Sequence, residues 1–257
     1  MSGVLLREKR GQALWLTINR PERRNAMTEE VVIGIADGLH AAHADPEVRA
    51  VVLTGVGEAA FCAGADLTPG RNFEFDFSRP STRYADLLRQ ASRATLPLVA
   101  RVNGACMAGG MGLLAMCDLA IAADTAKFGL PEVKVGLFPM QVLSVLRTVI
   151  PQRTLAEWCL TGETFDASDA LTAGLVNYVV PAIELDAKVE WLLARIVDKS
   201  PTAIRRGKYA MRAVAAMSLE ESISYTESQI GTLVMTEDSK EGRAAFAEKR
   251  KPSWTGR

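Results

Sequence analysis

The sequence predicts an α/β fold. Two observations carry this: short apolar runs rich in β-branched residues recur over the first 180 residues, and segments with apolar residues at helical spacing lie between several of them. A third, the loss of the strand signal beyond residue 185, predicts that the chain closes with helices alone.

Taken in order, strands are expected at 13–18, 48–54, 98–102, 118–123 and 176–180, and helices at 29–43, 82–94, 111–116 and 142–150. Three hydroxyls mark helix starts, because each can accept from the free N–H groups of a first turn: Thr28, Ser81 and Ser168. The chain divides into a core over 1–196 and a helical region over 197–257. The irregular stretch TPGRNFEFDFSRP, 68–80, carries three phenylalanines, and a cover over a pocket and a packed surface loop fit it equally.

With 257 residues, 48% of them hydrophobic, the chain can bury roughly three quarters of its unfolded surface in one large domain or a domain with an appendage. Thirty basic side chains against 30 acidic ones leave no net charge, which argues against nucleic acid as a partner. No apolar run reaches the length of a membrane span, and the first residues lack the pattern of a secretory signal. Cys62, Cys106, Cys117 and Cys159 have no paired spacing, so reduced thiols in a cytoplasmic protein are expected, without a disulfide or zinc framework.

The chemistry-bearing residue types narrow the field further. His40 and His43 have no ligand set in phase with them, so no metal is expected and a Ser-His-acid triad is disfavoured. The stretch AVVLTGVGEAA has the glycine spacing of a dinucleotide turn. The following FCAGADLTPG, however, cannot form the helix that such a turn must open. Two glycine-containing loops remain, FCAGADL and NGACMAGG, each following a strand. Glycine lets a ligand approach the backbone closely, and two such loops side by side can aim free N–H groups at one oxygen. From the residues alone, two tight turns are the stronger expectation.

The segments LTINRPERRNAMTEE, AVVLTGVGEAAFCAGADL, LVARVNGACMAGGMGLLAMCDLAIAADTAKFGLPEVKVGLFP, LTGETFDASDALTAGLVNYVV and EGRAAFAEKRKPSW decide the matter. In this order and spacing they resemble the crotonase, or enoyl-CoA hydratase/isomerase, superfamily along nearly the whole chain. The resemblance implies a crotonase-like spiral of ββα turns, with a C-terminal helical region that supports a homotrimer or a dimer of trimers. It implies an acyl-CoA substrate, with coenzyme A entering as part of the thioester and no other cofactor bound. It also implies that the backbone N–H groups of Ala65 and Gly109 form an oxyanion hole for an enolate.

By the same resemblance Glu132, in KFGLPEVKVG, is the catalytic acid/base, set among apolar neighbours that favour a raised carboxyl pKa. The second glutamate of family hydratases is missing: its place is Gly112, and Met111, Leu113 and Leu114 beside it cannot move protons. Asp66, Glu74 and Asp76 are the candidates for a substitute acid. Arg24, Ala26, Ala63, Asp66, Leu67 and Gly110 are expected at the CoA and substrate, with Arg23 beside them and Lys249, Arg250 and Lys251 reaching a neighbouring subunit's CoA.

With one base, double-bond isomerisation between 3-enoyl and 2-enoyl thioesters is the leading expectation, because moving a proton between C2 and C4 needs only one positioned group. Hydration with an atypical or missing second acid is the alternative, and a non-catalytic acyl-CoA-binding protein is a third. On this reading Gly112→Glu is expected to add hydratase activity.

Overall fold

The computed structural model describes residues 3–67 and 78–257, and its described residues form two sheets. The larger has six strands in the order β1 (Leu5–Arg10), β2 (Ala13–Ile18), β3 (Ala50–Gly55), β5 (Leu98–Val102), β7 (Leu119–Ala123) and β10 (Tyr178–Val180). The smaller has β4 (Ala60–Cys62), β6 (Ala105–Met107), β8 (Lys127–Gly129) and β9 (Thr164–Asp166). Pairing is parallel except at β1–β2 and β8–β9. After β1 and β2, which both lie in the larger sheet, the circuits from β3 to β8 lay one strand in each sheet and then turn through a helix, which is the expected ββα spiral.

The strands at 13–18 and 98–102 match the expectation residue for residue, and β3 starts two residues late. All of β3 is buried, as a central parallel strand flanked on both faces must be. Charged β1, LLREKR, was not among the expected strands; it is an edge with one neighbour, where polar side chains are tolerated.

Helix α1 (Glu29–Ala44) begins at Thr28, whose hydroxyl accepts from the Val31 amide as expected. For α2 (Arg83–Arg93) the cap is Thr82 and not Ser81, whose hydroxyl donates to Asp86 instead. For α6 (Ala167–Thr172) it is Asp166, paired reciprocally with Asp169, and Ser168 falls inside the first turn. Helix α3 (Gly109–Ala115) starts two residues before the expected 111–116, and α4 (Met140–Leu146) ends before the expected 150.

Between the sheets and helices lies a core that includes Leu16, Ile35, Leu53, Phe61, Leu87, Leu113 and Phe128. The opposite face of the large sheet packs Trp15, Val52, Val99 and Ile121 against Val189, Leu192 and Leu193 of α7 (Leu185–Val197).

Beyond it run α8 (Pro201–Val214), α9 (Leu219–Val234) and α10 (Glu237–Ala247), whose buried residues among those described are Thr202, Asp238 and Ala245. Asp238 fastens this region. Its carboxylate accepts from the Ser200 hydroxyl at 2.8 Å and from the Thr255 and Gly256 amides at 2.8 and 3.0 Å, joining the start of α8 to the C-terminal tail. Burial alone raises its pKa, but the Ser200 hydroxyl and the Gly256, Thr255 and Thr202 amides outweigh that and hold it down at about 2.

A depressed carboxyl contributes stability above its unfolded value of 3.8, and that contribution disappears as the pH falls through about 2. Asp238→Ala is therefore expected to cost about 3 kcal/mol at pH 7, since it strands several buried donors at once. Unfolding measured at pH 7, 4 and 2.5 checks this: the gap to wild type must shrink towards the acid end.

Candidate active site

Two buried asparagines hold the connection from β3 to β4, one of them from the turn after β2. Asn25, at φ 55°, accepts from the Arg20 amide and donates to the carbonyls of Val56 and Ala60 at 3.0 and 2.6 Å. Asn103 donates to Gly57 and Ala60 from the other side, at 2.7 and 3.1 Å. These bonds shape the GVGEAA stretch into a tight connection from β3 to β4, with no helix after it for a phosphate to meet.

The next loop runs alongside the same turn. Met27 donates to the Gly64 carbonyl at 2.7 Å and accepts from the Asp66 amide at 2.8 Å. Ala65 sits between those two contacts, in a parallel bridge to Met27, so its own N–H points away from Met27. The chain can turn here because Gly64 takes φ 98°.

Gly109 opens α3, where an N–H has no partner within the helix. It is presented by Ala108, a non-glycine residue at φ 49° and ψ −123°, a costly conformation tied down by a 2.9 Å bond from the Ala108 amide to the Gly129 carbonyl. A Cβ on Gly109 would lie 4.0 Å from the Ala65 nitrogen and against the Met27 methyl. The two amides thus face one space, and neither donates to an acceptor among the described residues.

That space belongs to a cavity of about 890 Å³ whose lining includes Ala65, Asp66, Leu67, Tyr84, Gly109 and Glu132. Its far wall is the segment Gly136 to Val142, bulky and apolar where it contributes Leu137, Phe138, Met140 and Val142. Glu132 is carried on a short 3-10 turn, Pro131–Val135, set by Pro131 directly after β8 and the fully buried Leu130. Its Oε2 is buried and has no hydrogen-bond partner among the described residues. Burial pushes its pKa above the usual 4.5, opposed in part by its own backbone N–H. A carboxyl so placed can take up and return a proton inside an apolar cavity.

Ala65, Gly109, Glu132 and Leu67 therefore meet around one cavity. Asp66 has a different position from that expected of a free acid. Its carboxylate is paired with Arg20 at 2.6 Å, with both side chains almost wholly buried, and Arg20 also donates to the Ala26 carbonyl. Gly110 is not on the cavity wall; it is buried where α3 crosses Cys62, with no room for a Cβ beside the Cys62 backbone. Arg24, Ala26 and Ala63 lie outside the lining, joined by a bond from the Ala63 amide to the exposed Arg24's carbonyl. Arg250 is engaged by Glu241 and Glu248 of its own chain. Glu74, Asp76 and most of the phenylalanine-rich loop lie outside the described residues.

Tyr84 is the residue that sequence reasoning missed. It is the second residue of α2, and its hydroxyl donates to the Gly109 carbonyl at 2.6 Å from the cavity wall. Gly112 leaves the room it needs, since any side chain at 112 would overlap the Tyr84 hydroxyl. Gly112→Glu would therefore have to displace the Tyr84 hydroxyl to bring an acid here. Burial first, then the neighbouring Cys62, Cys106 and Glu132, pushes the Tyr84 pKa well above 10, so the hydroxyl stays neutral.

Among the described residues no group of three metal-ligating side chains is assembled. His43 has a structural task, accepting from the Thr95 amide while its other ring nitrogen meets the Leu39 carbonyl. The four cysteines are free, and no described helix is long and apolar enough to cross a membrane.

Comparison with known proteins agrees with this geometry. The family model described as enoyl-CoA hydratase/isomerase matches residues 8–257. A probable enoyl-CoA hydratase of Mycobacterium tuberculosis, echA8, is 36% identical over 243 residues, covering 94% of each chain. An (E)-benzylidenesuccinyl-CoA hydratase of Thauera aromatica is 34% identical over 94% of this chain and 95% of its own. Among solved structures, an enoyl-CoA hydratase of Mycobacterium smegmatis superposes with a TM-score of 0.90 at 33% identity, covering 98% of this chain and 99% of that one.

Proposed function

Because the chain belongs to the enoyl-CoA hydratase/isomerase family, we propose that it adds water across the double bond of 2-enoyl-CoA thioesters. The observation that carries this is the buried Oε2 of Glu132, in the same cavity as the amides of Ala65 and Gly109, all three without a hydrogen-bond partner among the described residues. The names of the relatives, hydratases of several acyl-CoA thioesters, support hydration over the isomerisation that sequence alone favours.

In this reading the thioester oxygen accepts from both amides, each worth about 3–4 kcal/mol once charge develops on it. The water oxygen bonds to C3, and its proton passes to the Glu132 carboxylate. The π electrons move to C2 as a thioester enolate, and Glu132 returns the proton there. Arg24, Ala26 and Ala63 are assigned to the CoA end outside the cavity. Exposed apolar side chains on α8 to α10, among them Met211, Leu219, Ile230 and Phe246, support a homotrimer or a dimer of trimers.

Isomerisation stays as a second reading on one observation: of the two carboxylates lining the cavity among the described residues, Asp66 is already paired with Arg20. Incubation with a 2-enoyl-CoA and with its 3-enoyl isomer separates the two, with hydration read from product mass and the double-bond shift from the ultraviolet absorbance of the conjugated thioester. Hydration at least 10-fold faster than the double-bond shift is expected. The reverse order establishes the isomerase, and binding without turnover of either substrate establishes a non-catalytic acyl-CoA protein.

A further inference from the structure

We propose that Tyr84 is the second group that holds the attacking water, in a site where a side chain at residue 112 would collide with its hydroxyl. The proposal rests on the hydration reading and assigns the partner that Glu132 lacks.

A tyrosine hydroxyl has one proton to give and lone pairs to receive with. Tyr84 commits its proton to the Gly109 carbonyl at 2.6 Å, so what it offers the cavity is an acceptor. Glu132 offers a second acceptor, the buried Oε2 with no partner among the described residues. A water with one hydrogen on each has both donors engaged and a lone pair left for C3. That is the orientation two carboxylates would otherwise impose.

During the step the water's bond to the Glu132-facing hydrogen breaks and that proton goes to Oε2. The hydrogen facing Tyr84 stays with the oxygen as the product hydroxyl, so Tyr84 neither gains nor loses a proton. Its burial, with the ring 5% exposed, keeps it neutral throughout. The absence of a side chain at 112 is then the condition for Tyr84 to reach this place, because the two would occupy the same volume.

Tyr84 also steadies Gly109, so the test must separate holding water from holding the oxyanion hole. Tyr84→Phe is assayed for hydration of a 2-enoyl-CoA and for exchange of the C2 proton of the saturated acyl-CoA in deuterated water, a reaction that uses Ala65, Gly109 and Glu132 but no attacking water. The expected result is a loss of about 30-fold or more in the kcat of hydration, with KM and C2 exchange within about threefold of wild type.

Equal losses in both reactions, or no loss in either, overturn the proposal. Wild-type protein that exchanges the C2 proton but does not hydrate overturns the hydration reading and this proposal with it, whereas hydration untouched by Tyr84→Phe overturns this proposal alone. Should Tyr84→Phe not fold, the paired variant Tyr84→Ala with Gly112→Glu decides. Hydration regained above Tyr84→Ala alone supports an acceptor at this place, and none regained overturns it.

Discussion

Glu132→Gln is expected to lower turnover by on the order of 10²–10⁴-fold while acyl-CoA still binds. Glutamine keeps the shape of the side chain and leaves the Ala65 and Gly109 amides in place, but it cannot take up a proton and return it. The residual rate measures what the two amides achieve alone. The same group sets the pH dependence. It works as a base only when ionised, and burial raises its pKa above 4.5, so kcat/KM is expected to fall on the acid side with a midpoint above that value.

Stability must move in the opposite sense. Because the folded environment disfavours the ionised form, wild type loses stability as the pH climbs from 4.5 through the raised folded value. Glu132→Gln has no charge to bury and should melt higher than wild type at pH 8, by about 2–4 °C for each kcal/mol relieved. The two should converge below pH 4.5. A variant that keeps more than a tenth of wild-type turnover removes Glu132 from the proton transfer.

Much of the framework was legible because it is written locally. Strands β2 and β5 show as apolar runs interrupted only by Thr17 and Arg101, and Thr28 announces α1 with a hydroxyl at the right offset. Strands β4, β6, β8 and β9 have three residues each, too few for a period to show. They also carry the two glycine loops and Glu132, so the resemblance to a family located the site before periodicity could. Tyr84 was out of reach for another reason. Nothing in RYADLL marks a tyrosine as a cavity residue until α2 is laid beside α3, and Gly112 reads as a missing acid until the hydroxyl that fills its space is seen. Asp66 misled in the same way, because its partner lies 46 residues earlier.

That partner makes Asp66→Ala the substitution with the largest expected effect on stability, about 3–5 kcal/mol, or on the order of 10 °C in Tm. Removing the carboxylate leaves the Arg20 guanidinium buried, 5% exposed, with a charge and no counter-ion at 2.6 Å. The pair does more than neutralise itself. Arg20 Nη1 holds the Ala26 carbonyl, its amide holds Asn25, and the Asp66 amide holds Met27, so the ion pair ties the 20–27 turn to the loop that presents the Ala65 N–H. Turnover should therefore fall together with stability.

The paired variant Arg20→Met with Asp66→Leu separates charge from architecture. With no stranded charge it should recover much of the stability lost in Asp66→Ala, while turnover recovers less, because the bond from Arg20 to the Ala26 carbonyl is gone as well. Denaturant unfolding alongside steady-state kinetics reads both quantities. An acid working on substrate gives the opposite signature: Asp66→Ala would then lose turnover at unchanged stability, and that result would return Asp66 to the role of second acid.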